Sequence, residues 1–308
     1  MEFSFKGLVA APFTPMKDNG DIDVSKVSEY AKHLGTHGVK AVFVNGTTGE
    51  GVLSLSVAER KTMLETWVAE GKEHCPVIMA QVSGCGYREA VDLAKHAESL
   101  GVSAIGCLPS LFPKPRNVDE LVDWCRMISH AAPNTPFFYY HIPGFSGVSL
   151  SMTEFLTKGA AAIPTLAGIK YSSAEFGELA SMLTVKNKNG KPFKIFHGND
   201  ETFVPALTMG IDSAVGSTYN FMPEVFQKLL QLQEEGKKEE LVMMQDEITN
   251  MFKTIFRYGF AVGALKPVMK IVSGLDLGPT RYPYKIMGKK DEEELKKMLM
   301  NVKLDLFE

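Results

Sequence analysis

In the stretch "TLAGIKYSSAEF", Lys170 closes an apolar run that carries no other charge from Thr165 onward. A lysine amine among apolar neighbours is desolvated, which favours its neutral form and makes it nucleophilic toward a ketone or aldehyde. The product of that attack is a Schiff base. The competing reading is a lysine paired with a carboxylate or extended to the rim along its apolar stem, and position alone favours neither. Upstream, "FFYYHIPG" holds Tyr139 and Tyr140. Strand alternation gives Tyr140 the parity of Phe138 and Tyr139 that of Phe137, so one tyrosine faces inward. An inward tyrosine near the lysine could carry protons to and from a reacting hydroxyl. A tyrosine in an aromatic strand is more often a core residue with one satisfied hydroxyl.

Three loops add polar groups. "NGTTGEG", Asn45 to Gly51, flanks Thr47 and Thr48 with glycines, so backbone N–H groups and two hydroxyls can converge on a small anion. It lacks the G-K-[ST] of a nucleotide loop, and its plain alternative is a turn into the next helix. "HGNDET" offers Asp200 and Glu201 to the hydroxyls of a polyol, and "VGSTYN" offers Gly216 and Ser217 for close backbone approach. The two acids would equally suit the start of the helix that follows. A divalent metal is a third option, but no His or Cys cluster stands at ligand spacing, so no metal or other cofactor is expected. His141 and His197 read as hydrogen-bonded rim residues.

The elements that must hold these groups alternate with regularity. Short apolar runs begin at Gly7, Lys40, Pro76, Ser103, Pro136, Thr165, Phe193 and Asp212, separated by segments such as "YREAVDLAKHAESLG" with apolar residues returning at three and four. Gly38, Gly101 and Gly210 end several helices, where a left-handed cap is expected. Continuous apolar strands each followed by a helix predict a parallel sheet, and eight such units predict a closed (β/α)₈ TIM barrel. An open doubly wound sheet is the competitor, but "APFTP" after the first strand is no G-x-G-x-x-G. In such a barrel the chemistry lies at the C-terminal strand ends. Lys40 and Lys194 open their strands and fall at the other face; Lys170 closes the sixth. Strict alternation would put Lys170 on one face with Gly168 and Leu166, Gly168 leaving room beneath the lysine, and Ala167 with Ile169 on the other. The boundaries expected are a barrel over 1–236 and a C-terminal helical extension over 237–308.

Composition narrows the classes. The 308 residues are 45% hydrophobic and 22% charged with a net charge of -3, which gives no field to gather nucleic acid or an anionic membrane. Nowhere do eighteen apolar residues run together, and the start "MEFSFKGLVAAPFTP" reads as neither signal peptide nor anchor. Cys75, Cys85, Cys107 and Cys125 form no C-x-x-C pair, which fits a reduced, cytoplasmic setting.

Taken in order, "APFTP", "GTTGE", "YYHIPG", "GIKYSS", "GNDE" and "GST" resemble the pyruvate-dependent class I aldolases of the dihydrodipicolinate synthase and N-acetylneuraminate lyase group, along the whole chain. The resemblance implies a Schiff-base role for Lys170, an acid/base role for Tyr140, and a grip of Thr47 and Thr48 on the carboxylate of pyruvate. It implies a homotetramer. It also separates two branches: the synthase branch has an arginine five residues after the tyrosine, where this chain has Phe145, while Gly198, Asp200 and Glu201 match the sugar-binding Gly-x-Asp-Glu of the lyase branch. "YYHIPG" looks like the animal form of that branch, and Ser172 stands where the family often has Thr. The implied reaction is reversible aldol cleavage of N-acetylneuraminate, a sialic acid, to pyruvate and N-acetylmannosamine, with Asp200, Glu201 and Ser217 selecting the hydroxylated chain. Alternatives are an aldolase for another 2-keto-3-deoxy sugar acid and a non-catalytic sugar-acid-binding barrel. Where family members place a neighbouring subunit's tyrosine after the fourth strand, this chain has Leu111 and Phe112.

Overall fold

Eight short strands built almost wholly from apolar residues pair in parallel, in sequence order, and close on themselves. They are β1 (Gly7–Ala10), β2 (Ala41–Val44), β3 (Val77–Gln81), β4 (Ala104–Cys107), β5 (Phe137–His141), β6 (Leu166–Tyr171), β7 (Lys194–His197) and β8 (Ser213–Gly216), with β8 returning to β1. The computed structural model describes residues 1–259, 261–304 and 306. Both faces of each strand are buried, one inside the barrel and one under helices, which is why the runs lack polar alternation.

Inside, Val9, Phe43, Met79, Phe138, Phe196 and Val215 interdigitate as one cluster. The larger cluster lies between strands and helices and includes Trp67, Tyr139, Phe155, Tyr171 and Phe226. Full burial of an aromatic of this size contributes on the order of 1.5–3 kcal/mol. Helices start on side-chain caps: Ser56 accepts from the Glu59 N–H in a reciprocal capping box, and Asn117 and Ser151 accept from Glu120 and Glu154. Gly38, Gly101 and Gly210 have φ of 80°, 65° and 93°, the left-handed caps expected of them.

The interior is plugged from below. Phe3 and Phe5 of the N-terminal segment pack onto the inner cluster, and the Phe3 ring lies 5.3 Å from Phe138 and 6.0 Å from Phe196. At that same end Lys194 pairs with Asp212, and Lys40 donates to the Gly35 carbonyl at 3.1 Å. After β8, helix Pro223–Glu234 completes the eighth unit, and three more follow: Lys238–Ile255, Val262–Ser273 and Lys289–Leu299. The first of these three is tied to the barrel by Gln245, which accepts from Val204 N–H at 2.8 Å and donates to the Asp200 carbonyl at 3.1 Å.

Strict alternation fails in β6. The register against β5 slips between Phe137 and Phe138, which pair with Leu166 and Gly168, so Ala167 is an extra residue. Leu166 accordingly faces the helices and Ala167 the interior, the reverse of the expectation, while Ile169 and Tyr171 face out. Beyond this bulge the phase puts Lys170 inward. Gly168 has a different reason from room beneath the lysine: a Cβ there would overlap the Lys194 backbone of β7. Among the described residues no helix is long and apolar enough to cross a membrane. All four cysteines are free, and burial pushes the Cys75 and Cys107 thiols up to about 12.

Candidate active site

Adjacent strands β5 and β6 set Tyr140 directly beside Lys170 in register. Lys170 is 7% exposed, so its long side chain lies within the barrel mouth. Its ammonium sits 3.7 Å from the Tyr140 ring centroid and donates to Ser172 Oγ at 3.3 Å. A ring face attracts a cation but accepts no proton from it, and among the described residues a hydroxyl is the only oxygen bonded to it, so the amine has no carboxylate partner there of the kind expected of a structural lysine. The Tyr140 hydroxyl in turn lies 3.2 Å from Thr47 Oγ1. Tyr140 is thus the inward tyrosine, packed edge-on against Phe43, and Tyr139 is buried under the helices against Phe155.

Thr47 and Thr48 hang on a turn whose backbone the sequence makes unusual. Asn45 and Glu50 take left-handed φ of 60° and 57°, and the Glu50 N–H closes onto the Thr47 carbonyl at 3.1 Å. Gly51 is required because a Cβ would overlap the Asn45 carbonyl. Thr14, in the loop after β1, donates to the Gly49 carbonyl at 2.6 Å and pins the turn from the other side.

Opposite, Asp200 is buried within a single turn, Asp200–Thr202, ahead of helix Phe203–Thr208. It caps nothing: Oδ2 accepts from the Thr218 hydroxyl at 2.8 Å, and Oδ1 has no hydrogen-bond partner among the described residues. Gly216 leaves the space that carboxylate occupies, since a Cβ there would meet both Oδ1 and the Tyr219 ring. Burial raises the Asp200 carboxyl to about 6 against the opposing Thr218 bond. Glu201 is exposed.

Lys170, Tyr140, Thr47, Thr48, Ser172, Gly198, Asp200, Glu201, Gly216 and Ser217 all line one cavity of ≈ 290 Å³. His141 and His197 do not. They lie on the helix side, His141 stacked on Tyr171 at 5.2 Å and His197 within 2.9 Å of Thr202 Oγ1, and burial brings both down to about 4, so they stay neutral near pH 7. No group of three or more His, Cys, Asp or Glu among the described residues could hold a metal ion.

Sequence reasoning missed one wall. Phe252, Phe256, Ala261, Val262 and Leu265 come from the C-terminal helices and face the polar groups across the cavity, joined by Ile142 and Phe145 from the loop after β5. In an amphipathic helix such residues look like ordinary core, and the left-handed backbone at Ala261, with φ 49°, is invisible in the sequence.

The dihydrodipicolinate synthetase family profile matches residues 4–302. A human protein named N-acetylneuraminate lyase is 37% identical over 279 residues, spanning 90% of this chain and 86% of its own length. Among solved structures, a Proteus mirabilis N-acetylneuraminate lyase aligns with TM-score 0.89 and 32% identity over 97% of this chain and 99% of its own. A Ruminococcus gnavus sialic acid aldolase, solved as a catalytic lysine mutant, aligns with TM-score 0.89 and 28% identity over the full length of both chains. On the family match and the relative's identity and coverage, the chain belongs to the dihydrodipicolinate synthetase family.

Proposed function

We propose that the chain is an N-acetylneuraminate lyase, a class I aldolase that cleaves the sugar acid reversibly to pyruvate and N-acetylmannosamine. The observation that carries this reading is the Lys170 amine, held inside the barrel mouth over the Tyr140 ring, in the cavity that also holds Thr47, Thr48 and Asp200. The neutral amine of Lys170 attacks the C2 keto carbon, water leaves, and a protonated imine forms. The C3–C4 electron pair moves into that iminium, giving an enamine, as the Tyr140 hydroxyl takes the C4 hydroxyl proton and passes its own to the substrate carboxylate, and the aldehyde of N-acetylmannosamine departs. Protonation at C3 and hydrolysis release pyruvate and restore the amine. Because the iminium accepts the electron pair, a metal is not needed.

Thr47 and Thr48 hold the substrate carboxylate with donors fixed in advance, an electrostatic arrangement commonly worth about 3–4 kcal/mol of barrier per donor. Asp200, Glu201, Ser172 and Ser217, with the backbone of Gly198 and Gly216, grip the hydroxylated chain. Phe145, in place of an arginine, offers no cation for a second carboxylate, which supports the lyase branch over the synthase branch. Residues 1–236 act as the barrel and 237–308 as an extension that completes the apolar wall. A cytoplasmic homotetramer belongs to this reading, and the four free thiols accord with a reducing setting.

Borohydride reduction in the presence of pyruvate is the test. A stable adduct on Lys170, together with faster cleavage of sialic acid than of a shorter 2-keto-3-deoxy acid, is the expected result. An adduct on another lysine, or none, rejects the mechanism; a preference for the shorter acid reassigns the substrate.

A further inference from the structure

The turn that presents Thr47 and Thr48 ends on a residue that has no part in the bond-breaking chemistry. Glu50 is 0% exposed in a left-handed backbone, and neither it nor its neighbour Lys266 lines the catalytic cavity. A buried carboxylate in a strained conformation persists only where its surroundings hold it. Glu50 Oε2 accepts from the Arg281 N–H at 2.9 Å and the Ser54 hydroxyl at 3.2 Å. Oε1 has no hydrogen-bond partner among the described residues and lies 3.9 Å from the Lys266 ammonium.

Lys266 belongs to helix Val262–Ser273 of the extension and is 3% exposed. Its ammonium donates to the carbonyls of Thr14 at 2.7 Å and Pro279 at 2.6 Å. Thr14 itself grips the turn through Gly49. One buried ammonium therefore meets the turn twice, by charge at Glu50 and by hydrogen bond through Thr14.

Resting on the aldolase reading above, we propose that Glu50 and Lys266 are positioning residues for the substrate carboxylate, through which the C-terminal extension fixes the Thr47–Thr48 turn. Burial acts against both charges, raising the Glu50 carboxyl and bringing Lys266 down to about 8, so the pair is a poor device for stability alone. Removing either charge leaves the other buried and unpaired. The simplest relief is for the turn to swing toward solvent, carrying Thr47 and Thr48 off the carboxylate.

Glu50→Gln keeps shape and the acceptor for Arg281 and Ser54; Lys266→Met keeps the apolar stem. In borohydride trapping, the pyruvate concentration for half-maximal labelling of Lys170 rises roughly ten- to a hundredfold in each single variant. The KM for N-acetylmannosamine in the condensation direction stays near its wild-type value, which a general loosening of the fold would not allow. The double variant, with no charge left unpaired, recovers part of the loss. Unchanged pyruvate dependence in Glu50→Gln overturns the inference even if Lys266→Met fails to fold, and so does an equal loss for both substrates. A wild-type chain that pyruvate does not label at all rejects the aldolase reading itself, so the two failures are told apart.

Discussion

Replacing Asp200 with Asn separates what the active site needs from what the fold prefers. Burial moves this carboxyl from its ordinary 3.8 to about 6, and that rise of about 2.2 multiplied by about 1.36 kcal/mol gives about 3 kcal/mol. The sign follows from proton binding. With a folded pKa above the unfolded one, the native state binds the proton more tightly; stability is greatest below 3.8 and falls as pH rises through about 6. At pH 8 the ionised carboxylate thus weighs on the fold by the whole amount, and at pH 4.5 by about 1 kcal/mol. Asn keeps an oxygen for the Thr218 hydroxyl and carries no charge. Urea unfolding of both proteins should show the stability of Asp200→Asn relative to wild type greater at pH 8 than at pH 4.5 by about 2 kcal/mol. The wild-type curve alone would not reveal it. His141 and His197, lowered to about 4, titrate with the opposite sign and lose stability as pH falls from 6.5, but they cancel in the difference. In exchange, the variant binds sialic acid about tenfold or more weakly, as expected for losing a hydrogen bond to a charged acceptor. A stability difference that does not change with pH refutes the argument that burial sets this group.

Two further substitutions probe geometry. Tyr140→Phe keeps the ring over Lys170 and removes the hydroxyl shared with Thr47, so kcat for sialic acid cleavage should fall by roughly 10²–10⁴ while pyruvate labelling of Lys170 survives; an unchanged kcat would show that the ring, not the hydroxyl, is what matters. Gly168→Ala sets a Cβ against the β7 backbone and should destabilise by about 1–3 kcal/mol in urea, whereas Gly177→Ala in helix Phe176–Thr184, where nothing lies within 4 Å, should stabilise by about 0.5–1 kcal/mol; equal effects at the two sites would remove the steric account of Gly168.

The eight strands were legible because each is buried on both faces, so burial writes itself into sequence as an unbroken apolar run. The polar groups at the cavity were legible for a related reason: Lys170, Thr47 and Asp200 stand at strand ends, where an apolar run gives way to chemistry. What escaped was set by three-dimensional packing. The slip at Ala167 depends on how β6 meets two neighbours, and period-two reasoning has no access to it. Glu50 and Lys266 lie far apart in sequence, and each alone reads as a surface charge; a lysine inside "VGALKPVMK" on an otherwise apolar helix face was the one available hint.

The aromatic stopper formed by Phe3 and Phe5 turns the barrel into a cul-de-sac. Among the described residues that stopper leaves the barrel mouth as the way to Lys170, and if cleavage splits a molecule there in two, the half tethered to the amine sits at the blind end while the other stands in the exit. Departure is then sequential by geometry: the free aldehyde must clear the passage before hydrolysis can let the keto acid out. The reverse reaction must load in the mirrored order, with pyruvate entering ahead of the sugar.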